Sequence, residues 1–169
     1  AFSAGGDVRA LCELGRERRY DEMLKFWREE YALNALIKRY RKPYVALIDG
    51  IVMGGRVGNS AHGSHRVAGD RYTFAMPEVG IGFFPDVGAT WFLPRMPGEL
   101  GSYCALTGER FNAADGVAAK IATHRVSSAK FVELLEALCT AVPVDAVLAA
   151  FSEPIGEGPI AARRSAIDR

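Results

Sequence analysis

Cysteine is scarce and scattered. Cys12, Cys104 and Cys139 make an odd count in 169 residues, with no C-x-x-C pair among them. That argues against the disulfide framework of small secreted domains and for a reduced, cytoplasmic chain. The three histidines, His62, His65 and His124, have no cysteine or carboxylate companions at ligand spacing, so no metal is expected. A net charge of +1 supplies no field to draw nucleic acid or an anionic membrane. No apolar run approaches the roughly 18–20 residues that span a bilayer, and the start shows no charged segment followed by an apolar one of the kind that targets secretion. Several catalytic signatures are missing as well. There is no G-K-[ST] phosphate loop. GIGFFP lacks the third glycine of a dinucleotide fingerprint. GNSAHG places His62 where the second glycine of a serine-nucleophile elbow belongs.

What remains is an ordinary globular composition, 49% hydrophobic and 24% charged, long enough for one domain with a core. Asp7 is a good N-cap for a helix over 7–20. Residues 21–41 read as a long helix with Met23, Phe26, Glu30, Leu33 and Ile37 on one stripe, ended by Pro43. PYVALIDG (43–50) reads as a buried strand, and the β-branched run beyond it ends in Gly54-Gly55. A short helix is expected through 57–65, placing His62 and His65 three apart upon it. A second strand follows at 71–78, then a glycine-rich loop, 79–90. Small helices are expected at 99–108 and 112–120, a short strand at ATHRVS, and a helical remainder broken by Pro143 and SEPIGEGP. Strands alternating with helices make the class α/β. The expected organisation is an α/β core over 1–127 and the start of a C-terminal helical region over 128–169. The chain opens on AFSAGGD without a methionine and ends on AARRSAIDR in a helix, so it is read as cut at both ends.

Three carboxylates stand in apolar company. Glu78 follows Ala-Met-Pro, Asp86 follows Phe-Phe-Pro, and Glu30 lies within an apolar helical stripe. Such surroundings raise carboxyl pKa values and suit acid–base work, although a turn-terminating Glu78, an N-capping Asp86 and a Glu30–Arg ion pair are the structural alternatives. Two glycine turns, Gly54-Gly55 and Ala4-Gly5-Gly6, each precede a helix and leave N–H groups free, which is what a two-donor oxyanion hole needs.

Together, AFSAGGD, REEY, KPYVALIDGIVMGG, FAMPEVGIGFFPDVGATWFLPRM, ALTG and ATHRV resemble the crotonase (enoyl-CoA hydratase/isomerase) superfamily, and within it the 3-hydroxyisobutyryl-CoA hydrolase family most. The resemblance is dense over 1–130 and looser beyond. It implies a fold of repeated ββα units with a C-terminal helical region, here lacking its N-terminal strands. It implies thioester hydrolysis of a short β-hydroxyacyl-CoA, as in valine catabolism, with CoA as part of the substrate and no separate cofactor. The implied partner is acyl-CoA, with neither nucleic acid nor membrane, and relatives often form homo-oligomers. Ala4 and Gly55 match the oxyanion donors, Glu78 and Asp86 the catalytic carboxylates, and Glu30 a further substrate contact. Glu78 is either the base acting on water or the attacking group. Gly58 stands where hydratases carry their first catalytic glutamate, which argues for a hydrolase, with a hydratase/isomerase or a catalytically impaired member as alternatives.

Arg56 departs from the pattern, since a third glycine is usual there. It is expected to perturb the site by backbone strain, by filling the acyl pocket or by pairing with Glu78 or Asp86, unless its side chain leaves toward solvent.

Overall fold

A computed structural model describes residues 2, 3 and 5–169. Helix α1 (Val8–Arg16) starts where Asp7 Oδ1 accepts a hydrogen bond from the Ala10 N–H at 2.9 Å. Helix α2 (Tyr20–Arg39) buries Met23, Phe26, Trp27, Glu30, Asn34 and Ile37 at least in part. The stripe is therefore displaced from expectation at one place: Leu33 is 45% exposed, and Asn34 points inward at 5%. Both positions lie near the edge of the same helical face, and the surface opposite decides between them.

Strand β1 (Val45–Ile48) continues into β2 (Ile51–Met53) through Gly50, whose φ of 152° no side chain tolerates well. The apolar run is thus two strands in different sheets. A 3-10 turn (Gly54–Val57) and α3 (Gly58–Ala61) follow. The helix expected through 65 stops sooner: His62 caps α3, and His65 opens β3 (His65–Ala68), so the two histidines share no helix. Past the bend at Gly69 comes β4 (Thr73–Ala75), shorter than the strand expected over 71–78 because Pro77 opens a 3-10 turn, Pro77–Ile81. Strand β5 (His124–Arg125) lies farther along.

All of these strands pair in parallel. β1, β3 and β5 form one sheet, with Val45 opposite His65 and Val67 opposite His124. β2 and β4 form the other, with Met53 opposite Ala75. Ser3 adds a parallel bridge to Val52. The order β1-β2-α3, then β3-β4 followed by α4 (Ala89–Phe92), is a repeated ββα unit, as the sequence implied. The two ββ corners are tied together by Asp49, which accepts hydrogen bonds from the Arg71 N–H and side chain and from Ser128 Oγ. The Arg71 guanidinium holds the Asp49 carboxyl down at about 2.

Alternate residues of β1 and β3 face two apolar cores. Ala46, Ile48 and Ala68 join Phe74, Phe111 and Leu100 on one side. Val45, Leu47 and Val67 meet α7 (Phe131–Leu138) and α8 (Val144–Phe151) on the other. Helices α5 (Leu100–Thr107) and α6 (Ala113–Ala118) border the first core. The SEPIGEGP stretch leads to α9 (Arg164–Ile167) and is anchored, with Ile160 N–H donating to buried Asp115 at 3.1 Å. Cys104 is buried, whereas Cys12 and Cys139 are exposed. No helix among the described residues is long and apolar enough to cross a membrane.

Candidate active site

Because β2 and β4 are parallel neighbours in register, the chain leaves both at the same edge of the sheet. β2 exits into Gly54-Gly55 and β4 into Pro77-Glu78. Gly54 has φ 61°, and a Cβ on it would lie 3.5 Å from Glu78 Oε1. Gly54 thus turns the chain and lets its backbone approach the carboxylate. Behind Glu78, Gly108 ends α5 in the left-handed conformation (φ 65°), where a Cβ would stand 3.2 Å from Pro77 Cα. Gly55 carries the turn onward beneath α2, and a Cβ there would reach within 3.2 Å of Glu30 Oε1. The first N–H groups of such a turn have no partner inside it.

The cavity at this edge is about 620 Å³. Glu30, Gly54, Gly55, Glu78 and Asp86 line it together with apolar side chains such as Phe26, Trp27 and Phe83. Glu78 is 6% exposed, and neither of its carboxylate oxygens has a hydrogen-bond partner. Burial first, and the charge of Asp86 second, push its pKa up to about 7. Glu30 is half-buried. Burial and Asp86 also raise its pKa, while the nearby charge of Arg56 works the other way; it feels that cation across the cavity wall rather than from within an ion pair.

Asp86 is held from two sides. The Tyr31 hydroxyl donates to its Oδ2 at 2.9 Å, and burial, with Asp86 second, holds the phenol well above its ordinary range. Sequence reasoning missed Tyr31, although it lies in the quoted REEY; nothing local marks a hydroxyl that bridges 55 positions. On the other side the backbone turns through Val87 (φ 46°) and Gly88 (φ 82°), and His62 Nε2 meets the Val87 carbonyl oxygen at 2.7 Å. A β-branched residue in the left-handed region costs about 1–3 kcal/mol and persists only where its surroundings hold it. Here Val87 is 1% exposed.

The structure brings Glu30, Gly55, Glu78 and Asp86 to one cavity, whereas Ala4 lies outside the described residues. Arg56 is exposed, has no positive φ and does not line the cavity. The strain and pocket-filling expectations therefore give way to the solvent-facing one, with a charge still felt at Glu30. Arg56→Gly is accordingly expected to change turnover by no more than about twofold, since an exposed charge acts weakly; a steady-state comparison with the parent chain checks this. Gly58 abuts the Asn34 amide so closely that a Cβ there would collide with it. Both Asn34 polar atoms are buried without partners.

A family model described as enoyl-CoA hydratase/isomerase matches residues 1–169. Among curated proteins, the chain is 56% identical over 135 residues to the mitochondrial 3-hydroxyisobutyryl-CoA hydrolase of Xenopus tropicalis, covering 79% of this chain and 34% of that one. The mitochondrial protein of the same name from Homo sapiens is 51% identical over 138 residues, covering 82% of this chain and 36% of that one. Among solved structures, a carnitinyl-CoA dehydratase from Mycobacterium thermoresistibile superposes with a TM-score of 0.90 at 50% identity, covering 98% of this chain and 48% of its own. An enoyl-CoA hydratase from Rhodobacter sphaeroides 2.4.1 gives 0.87 at 36% identity, covering 98% and 48%. The chain therefore spans about a third of the length of the curated relatives it matches.

Proposed function

The chain belongs to the enoyl-CoA hydratase/isomerase family, and we propose that its cavity is the active site of an acyl-CoA thioesterase acting on a short β-hydroxyacyl-CoA such as 3-hydroxyisobutyryl-CoA. The observation that carries this is Glu78: a buried carboxylate without partners, poised near neutrality, beside the Gly54-Gly55 turn and a second carboxylate. A general base works best when its pKa lies near the working pH.

The thioester carbonyl oxygen would accept a hydrogen bond from the Gly55 N–H, with Ala4 as the second donor. An oxyanion donor of this kind is worth about 10²–10³ in rate. In one route Glu78 takes a proton from water, the oxygen adds to the carbonyl carbon, and collapse breaks the C–S bond while Glu78 returns the proton to the thiolate. In the other, the Glu78 carboxylate attacks the carbonyl carbon and the C–S bond breaks, releasing the CoA thiolate; water then cleaves the mixed anhydride, freeing the acid and Glu78, and its proton goes to the thiolate. Asp86 and Glu30 would hold the acyl hydroxyl and the water.

A hydratase reading is favoured by the names of the two solved structures. Against it stands the space at Gly58. A second catalytic glutamate there would have to displace the buried Asn34 amide. The compartment is proposed from the relatives' names, which read mitochondrial; free thiols without disulfides suit it as well as the cytoplasm.

The test is release of free thiol from 3-hydroxyisobutyryl-CoA, followed with a thiol-reactive dye, alongside loss of enoyl absorbance from crotonyl-CoA. Thiol release without hydration supports the thioesterase; hydration without thiol release overturns it.

A further inference from the structure

We propose that His62 is a positioning residue for Asp86. Its ring N–H holds the Val87 carbonyl and so keeps the Asp86–Gly88 turn in the left-handed form that presents the Asp86 carboxylate to the cavity. This rests on the thioesterase reading for its kinetic consequence, but not for its structural one.

Four observations carry it. The first is the 2.7 Å contact from His62 Nε2 to a carbonyl oxygen, which can only accept, so Nε2 carries the hydrogen. The second is the conformation it secures. Val87 and Gly88 have φ 46° and 82°, and the Ala89 N–H closes the turn onto the Asp86 carbonyl at 2.7 Å. A relaxed Val87 would re-aim the residue before it. The third is steric. A Cβ on Gly88 would lie 2.7 Å from the His62 ring, so the glycine makes room for the imidazole as well as supplying the conformation. The fourth is rigidity. The His62 ring packs edge-on to Phe92 at 6.1 Å between centroids, and it leaves α3, whose preceding 3-10 turn carries Gly55. The element that presents Gly55 therefore also fixes Asp86, and Tyr31 from α2 holds the carboxylate end. His62 does not itself line the main cavity; it faces a smaller one behind Tyr31 and Val87.

The experiment compares His62→Phe, which keeps the ring packing and loses the donor, with His62→Gln, whose amide N–H reaches a similar distance. Thermal melts establish folding. With 3-hydroxyisobutyryl-CoA, His62→Phe is expected to lose about tenfold to a hundredfold in kcat, as small misplacements of a reacting group do, with KM little changed. His62→Gln is expected to recover most of that loss. In parallel, the Glu78 carboxyl carbon is titrated by NMR in all three proteins. An Asp86 that swings away raises the Glu78 pKa less, so the midpoint is expected to fall in His62→Phe and to return in His62→Gln. Equal kinetic loss in both variants, no loss in either, or an unmoved Glu78 midpoint overturns the proposal. A parent protein that hydrates crotonyl-CoA and releases no thiol overturns the thioesterase reading instead, and the titration then decides the positioning role alone.

Discussion

Glu78→Gln is expected to lower the rate of thiol release by about 10³-fold, within the 10²–10⁴ that a positioned general base contributes, with little change in KM. Glutamine keeps the shape and cannot take a proton. The parent's rate should rise with pH as Glu78 ionises around 7 and be about tenfold lower at pH 6 than at pH 8. The variant's residual rate should lack that limb. Stability should move in the opposite direction. Glu78 has a folded pKa raised above its ordinary 4.5, so folding suffers no penalty from it below pH 4.5 and loses stability as pH rises through about 7. Glu78→Gln should therefore match the parent's melting temperature at pH 4 and exceed it at pH 8. Kinetic profiles and melts at the two pH values check both signs. A variant that retains the parental rate and pH limb would remove Glu78 from the chemistry.

The second large effect concerns the scaffold. Gly101→Ala is expected to destabilise the protein by about 3 kcal/mol or more, at the upper end of the usual cost of overpacking, or roughly 6–12 °C in melting temperature for a chain of this size. A Cβ at Gly101 would collide with the Leu93 carbonyl oxygen, a backbone atom that cannot rotate away. Helix α5 would have to retreat from the segment that follows α4, and its far end, Gly108, backs Pro77 beneath Glu78. Gly156→Ala is the control, because a Cβ there meets nothing. Urea denaturation of both variants measures the difference.

The parts of this molecule that could be read from its residues are those whose cause is local. Asp7 caps α1, Gly108 stops α5, and Pro143 parts α7 from α8. The break between β1 and β2 was not legible, since an unbroken apolar run does not record that Gly50 passes it from one sheet to another. Nor was β3, whose residues are specified by the strands on either side. At the site, apolar company marked Glu30, Glu78 and Asp86, and the paired glycines marked the turn at Gly55; resemblance, rather than spacing, bound them into a set. Tyr31, Asn34 and the hold of His62 on Val87 stayed hidden because each acts across a tertiary gap. Arg56 drew attention as an intruder, yet its placement depends on which way a 3-10 turn faces, and no neighbour in the sequence tells that.

The parallel pairing of the strands also governs when the cavity comes into being during folding. Ile51 finds Thr73, and Ser3 finds Val52, only after long stretches of chain have been drawn together. Closing such loops exacts its entropy before any contact repays it, which makes parallel topologies slow. Helix α2 can form by itself and present Glu30 and Tyr31, but Gly54 and Glu78 become neighbours only once β2 has paired with β4. Binding of an acyl-CoA analogue during refolding should therefore appear with the phase that pairs β2 with β4, making ligand capture a clock for that docking.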